Sequence, residues 1–218
     1  MTAPLVHLVR RPAAGSPKPP LLLLLHGVGS HEGDLFSLEG AFDPGWVVVS
    51  ARAPLTLQTG AYSWFPVEFT PEGIVADAEG AENSRRRLIE FLDWAVAEFG
   101  ADPGRVAVAG FSQGAIMTAS LALTEPEKLC AAVLMSGRIL PEVLPLAAPL
   151  ERRSQPRYLV IHGTQDQVLP IANGRASRQT LRSLGIEPEY YEFPMPHTIS
   201  DESLSLVVDW TGARLGRP

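Results

Sequence analysis

An α/β fold built on a mostly parallel sheet is predicted by three features of the sequence. Short apolar runs alternate with longer amphipathic stretches, the runs are apolar throughout rather than at every second residue, and each amphipathic stretch follows one of the runs. Continuously apolar strands belong to sheets covered on both faces, which are mostly parallel. The first such run is Leu21 to Leu25, closed by His26 and Gly27. Trp46 to Val49, Val106 to Ala109, Ala131 to Met135 and Tyr158 to Ile161 repeat the pattern between Gly, Pro or polar residues. Leu5 to Arg10 and Glu189 to Phe193 alternate more, which predicts outer strands.

The longest helical stretch is predicted from about Ile74 to Phe99. Ile74, Ala78, Ala81, Leu88, Leu92, Ala95 and Phe99 recur at three- and four-residue steps and line one helix face. Asp77, Glu79 and Glu82 stand near its start, where the helix dipole favours acids, and Gly100 follows its end. The successive Arg85, Arg86 and Arg87 fan over about 200° of a helix and read as a solvated face. Further helices are predicted from Gln113 to Leu123, Ile171 to Leu184 and Ile199 to Leu215. Arg52 to Gly73 shows no clear period and reads as a long functional loop. Leu140 to Pro156 carries Pro141, Pro145, Pro149 and Pro156, which argue against a long regular helix, and its apolar character suggests a flap over a site.

A chain of 218 residues, 45% hydrophobic and 19% charged, suits one domain spanning 1–218. Its net charge of −6 argues against nucleic acid and anionic membranes as partners. The single Cys130 excludes an intrachain disulfide framework and a cysteine-built zinc cluster. The five-leucine run is too short for a signal peptide core or a membrane span, so a cytoplasmic protein is expected.

Gly110-Phe111-Ser112-Gln113-Gly114 matches G-x-S-x-G, the nucleophile elbow, and the pentapeptide alone is a weak signal. Its context strengthens it, because a predicted strand runs directly in and a predicted helix directly out. Glycines leave room for a strained turn that lifts the Ser112 hydroxyl clear of the sheet. A serine hydroxyl needs a histidine to take its proton and an acid to orient that histidine. In this type of site they follow in the order Ser, acid, His. Only His162 and His197 follow Ser112, and Asp166 is the sole aspartate between Ser112 and His197. Asp166 and His197 each stand just beyond a predicted strand, at the carboxyl ends where open α/β sheets place their sites. His162 competes as base but precedes the acid; Glu125, Glu127, Glu142, Glu151, Glu187, Glu189 and Glu192 are alternative acids. The backbone N–H groups of Gln113, at the helix start, and of Val28, in the glycine-containing loop after the first buried strand, are the expected donors to an oxyanion. His26 reads as a brace for that loop. His31, Glu32 and Asp34 are read as a helix start rather than metal ligands, and neither metal nor cofactor is expected.

Leu25-His26-Gly27, Trp64-Phe65, Gly110-Phe111-Ser112-Gln113-Gly114-Ala115, Ser136-Gly137, His162-Gly163-Thr164-Gln165-Asp166 and Met195-Pro196-His197 resemble the carboxylesterase, lysophospholipase and acyl-protein thioesterase family of small α/β-hydrolases. The resemblance runs from about Leu21 to Trp210, and Gly-Phe-Ser-Gln-Gly-Ala is its most specific part. It implies the α/β-hydrolase fold without a large cap domain, Ser112 as nucleophile, Asp166 and His197 as its partners, and Val28 and Gln113 as oxyanion donors. Val28-Gly29-Ser30, Pro66 after Trp-Phe, and Pro196 before His197 depart from the family's usual residues. Those departures favour simple ester hydrolysis. The expectation is a serine carboxylesterase acting on small to medium acyl esters, with Trp64, Phe65, Val168, Leu169 and Met195 lining an apolar acyl groove. A thioesterase or lysophospholipase is the alternative within hydrolases, and a non-catalytic binding module on a hydrolase scaffold the alternative outside them. The resemblance also allows a homodimer.

Overall fold

The structure is a computed structural model that describes residues 2–13, 17–70 and 73–216. Along the chain, β1 (His7–Arg10) and β2 (Leu21–Leu25) are followed by α1 (Glu32–Phe36) and β3 (Val47–Ala51). Four short strands come next, β4 (Leu55–Gln58), β5 (Ala61–Ser63), β6 (Val67–Thr70) and β7 (Gly73–Ala76), then the long α2 (Ala78–Glu98). The remainder is β8 (Val106–Phe111), α3 (Gln113–Thr124), β9 (Ala131–Met135), α4 (Leu150–Arg153), β10 (Arg157–Gly163), α5 (Ala172–Ser183), β11 (Glu189–Phe193) and α6 (Asp201–Leu215). Seven strands form one sheet in the order β1-β3-β2-β8-β9-β10-β11. All neighbours are parallel except β1, which pairs antiparallel with β3 at the edge.

The leucine run shows why the strands lack alternation. Leu21, Leu23 and Leu25 pack with Leu88, Leu92 and Ile116 of α2 and α3, whereas Leu22 and Leu24 pack with Leu35 of α1 and Val207 and Trp210 of α6. Both faces are therefore dry, and each buried leucine contributes roughly 1.5–3 kcal/mol of transfer free energy. No large cap stands over the sheet among the described residues.

Local structure departs from expectation where tertiary pairing overrides pattern. The stretch Arg52 to Gly73 is not one loop: β4 pairs with β5, and β6 with β7, as two antiparallel hairpins. Its residues 71 and 72 lie outside the described residues. Because Gly73–Ala76 is drawn into the second hairpin, α2 begins at Ala78 rather than Ile74. Asp77 caps it, accepting a hydrogen bond from the Gly80 N–H at 2.5 Å. Leu140 to Pro156 contains a 3₁₀ turn, Pro141–Leu146, followed by the single-turn α4. Leu140 and Val143 of that segment are buried in the core on the α2 and α3 side.

The arginine triplet is also split. Arg86 and Arg87 are exposed, but Arg85 is half-buried. Its Nε and Nη2 donate to the Glu82 carboxylate at 2.7 and 2.8 Å, and Nη1 donates to Thr124 Oγ1 at 3.0 Å, tying α2 to α3. The Arg85 guanidinium pulls the Glu82 carboxyl down from 4.5 to about 2. A depressed carboxyl adds stability above its unfolded value and loses it as pH falls through the folded one. Glu82→Gln is thus expected to reduce stability by about 0.5–1 kcal/mol at pH 7. That difference should shrink as pH falls from 4.5 to about 2, as followed by urea denaturation at each pH.

Candidate active site

The elbow between β8 and α3 is strained and tightly packed. Ser112 has φ 54° and ψ −116°, a conformation that L residues adopt only where the surroundings impose it. Here they do. The Ser112 N–H donates to Met135 O of β9 at 2.9 Å, and the Ser112 carbonyl accepts from the N–H groups of Ala115 and Ile116. A Cβ at Gly110 would lie 2.2 Å from Gly114 O, and one at Gly114 would lie 2.0 Å from Leu25 O. Only glycines let α3 approach β2 and β8 this closely.

The loops after β10 and β11 bring Asp166 and His197 to that serine. His197 Nε2 is 2.9 Å from Ser112 Oγ, and His197 Nδ1 is 2.6 Å from Asp166 Oδ2. The other carboxylate oxygen of Asp166 accepts the N–H groups of Val168 and Leu169 at 2.9 and 2.8 Å, which holds the acid in place. The Asp166 side chain is wholly buried, while 16% of the His197 side chain is exposed. Hydrogen bonding between Nδ1 and the carboxylate sets the histidine's tautomer, leaving the Nε2 lone pair directed at the serine hydroxyl. His162 lies on the other side of the acid: its Nε2 donates to Leu169 O at 2.7 Å and is 3.5 Å from Asp166 Oδ2. It has no hydrogen bond to Ser112 among the described residues, and it braces the Asp166 loop.

Val28 and Gln113 line the same cleft as Ser112. Among the described residues the N–H groups of Val28 and Gln113 have no acceptor. The Val28 loop is held from behind by His26. Ala53 N–H donates to its Nε2 at 3.0 Å, so Nδ1 carries the proton and donates to Gly27 O at 2.7 Å. Burial pushes the pKa of His26 down, consistent with a neutral ring. Gln113 contributes more than its backbone: its side-chain oxygen accepts from Trp64 N–H and Ser63 Oγ, and its nitrogen donates to Phe65 O. One amide thereby ties the segment Ser63 to Phe65 to the elbow.

Beside Ser112 lies a cleft of about 430 Å³, partly open to solvent, lined by Val28, Phe65, Val67, Gln113, Ile116, Arg138, Val168 and Leu169. Three of the five expected acyl contacts, Phe65, Val168 and Leu169, are in it; Trp64 and Met195 are not. Trp64 is fully buried behind Phe65, its Nε1 donating to His26 O at 2.9 Å. Met195 packs into the core on the α1 and α6 side. Of the contacts missed, Ile116 was within reach of sequence reasoning, since it lies one helical turn beyond Ser112. Val67 depends on the β6–β7 hairpin and Arg138 on the loop after β9. Among the described residues, none of Leu140 to Pro156 lines this cleft. His31, Glu32 and Asp34 diverge: His31 caps α1, Glu32 takes a bidentate ion pair from Arg52, and Asp34 accepts from Ser30 Oγ.

Comparison with known proteins gives these features a family. Residues 12–213 match the phospholipase/carboxylesterase family of hydrolases. The chain belongs to that family. Carboxylesterase SOBER1 of Arabidopsis thaliana is 28% identical over 208 residues, covering 89% of this chain and 90% of the relative. The solved esterase PE8 superimposes with a TM-score of 0.82 at 30% identity, covering 97% of this chain and 99% of that one. A Bacillus cereus carboxylesterase gives 0.81 at 25% identity over 96% and 94% of the two chains. As a member of the family the chain is a serine hydrolase with the α/β-hydrolase fold. Among the described residues no helix is long and apolar enough to cross a membrane.

Proposed function

We propose that this family member hydrolyses small to medium acyl esters, with Ser112 as nucleophile, His197 as general base and acid, and Asp166 as the residue that orients His197. The observation that carries the reading is the unbroken hydrogen-bonded chain from buried Asp166 through His197 to Ser112. In the acylation step Ser112 Oγ attacks the ester carbonyl while His197 Nε2 takes its proton. The carbonyl oxygen, now negative, is met by the Val28 and Gln113 N–H groups, and each such donor is worth about 2.7–4 kcal/mol in a transition state of this kind. His197 then delivers its proton to the departing oxygen. Water, activated by the same histidine, releases the acid from the acyl-enzyme. No cofactor enters any of these steps.

The apolar lining of the cleft suits the acyl chain, and its modest size favours short and medium lengths. Labelling with a fluorophosphonate probe, followed by kcat/KM for p-nitrophenyl esters of increasing acyl length, tests the reading; absence of labelling at Ser112 would overturn it. Ile116→Phe, which adds bulk to the wall one turn from Ser112, is expected to lower kcat/KM for octanoyl esters about tenfold while changing that for acetyl esters less than about threefold, since one or two methylenes of lost space are worth about 1–3 kcal/mol. Matched ester, thioester and lysophospholipid substrates sharing one acyl chain separate this reading from the thioesterase and lysophospholipase alternatives.

A further inference from the structure

A second groove lies against His197. It is lined by Asp34, Leu35, Ser37, Leu38, Phe111, His197, Thr198 and Ile199. The acyl cleft contains Ser112 and both oxyanion donors but not His197; this groove contains His197 but neither Ser112 nor the donors. The division follows the chemistry of ester cleavage. The carbonyl must sit between Ser112 and the two N–H groups, and the departing oxygen must sit where His197 Nε2 can protonate it. The acyl chain and the leaving group therefore extend to opposite sides of the tetrahedral carbon.

We propose that this groove is the leaving-group subsite and that it selects compact neutral or cationic alcohols over anionic ones; the inference rests on the function proposed above. Its lining mixes apolar and neutral polar groups: Leu35 is buried, Phe111 packs against the His197 ring with centroids 4.9 Å apart, and Ser37 and Thr198 bring hydroxyls. Among the described residues its only carboxylate is the exposed Asp34, and no Lys or Arg lines it. Asp34 accepts a hydrogen bond from the neutral Ser30 hydroxyl at 2.6 Å and has no ion pair among the described residues, so no side-chain cation neutralises it in the groove lining. The nearby Glu32 differs, because Arg52 neutralises it at the back of the same helix. A cationic leaving group gains from the Asp34 field, and a sulfonate or phosphate loses by it.

The test uses three butyryl esters at low ionic strength: butyrylcholine, its neutral isostere 3,3-dimethylbutyl butyrate, and the butyryl ester of 3-hydroxypropanesulfonate. All three form the same acyl-enzyme, so differences in kcat/KM report acylation and the leaving group alone. The wild-type protein is expected to prefer the cationic to the anionic ester, and Asp34→Asn, which retains the hydrogen bond from Ser30, is expected to lower that ratio about two- to fivefold. The neutral ester should change less than about twofold, and 0.5 M salt should compress the ratio in the wild type towards that of the variant. An equal cation-to-anion ratio in the two proteins would overturn the subsite while leaving the esterase reading intact. Failure of the wild type to hydrolyse the neutral ester, together with no fluorophosphonate labelling, would overturn both.

Discussion

Ser112→Ala is expected to lower kcat on p-nitrophenyl butyrate by at least several thousand-fold, to abolish fluorophosphonate labelling, and to leave the far-ultraviolet circular dichroism unchanged. The magnitude follows from what remains when the hydroxyl is gone. In the proposed mechanism the Val28 and Gln113 donors and the cleft would still bind the ester and favour water attack to a small degree, but no covalent intermediate would form. The fold should tolerate the change because the strained turn is imposed by backbone contacts, Ser112 N–H to Met135 O and the close approach of Gly110 to Gly114, rather than by the side-chain hydroxyl. Alanine at φ 54° is strained much as serine is. A variant that retained full activity would remove Ser112 from the chemistry altogether.

Gly114→Ala is expected to be the most damaging single methyl in the site. The added carbon would sit 2.0 Å from Leu25 O and 2.5 Å from Leu25 C, both backbone atoms of a strand paired on each side. Neither can rotate away, so α3 must lift from β2, and with it the first turn of the helix that presents Gln113. A loss of at least about 3 kcal/mol is expected. For a chain of this size that lowers Tm by about 6–12 °C, which differential scanning calorimetry measures directly. Activity should fall as well, because the lifted helix moves one oxyanion donor away from the carbonyl. Gly212→Ala provides the contrast: a Cβ there meets nothing within 4 Å, and removing a glycine from the interior of α6 should stabilise by about 0.5–1 kcal/mol. Equal stability of the two variants would show that the close approach of α3 to β2 carries no energetic weight.

Much of the fold is legible in the sequence because each buried strand is apolar along its whole length. A run such as Leu21 to Leu25 has no polar face to present to water, so it must be covered on both sides. Ser112, Asp166 and His197 stand out for a different reason. The elbow announces the serine through its glycines, and beyond Ser112 the sequence offers two histidines, with a single aspartate between Ser112 and His197, from which to choose the rest.

Direction and distance belong to the tertiary structure. Trp64 and Phe65 are neighbours of similar character, yet one is sealed behind the site and the other lines it. The Gln113 amide, bonded to Trp64 N and Phe65 O, holds the backbone that carries both rings. Met195 precedes His197 by two residues but packs into the core on the α1 and α6 side, away from the cleft lined by Phe65 and Ile116. Arg85 differs from Arg86 and Arg87 only in where α3 happens to pass, with Thr124 within reach of its guanidinium. The two hairpins between β3 and α2 form because strands of three or four residues find partners, a pairing that local periodicity cannot encode. The sequence by itself determined a doubly covered sheet and the identity of the serine, histidine and aspartate at its carboxyl edge, since those depend on local pattern and chain order. The shape of the acyl cleft and the separate groove beside His197 were decided only by packing, since each is bounded by side chains that meet from segments far apart in the chain.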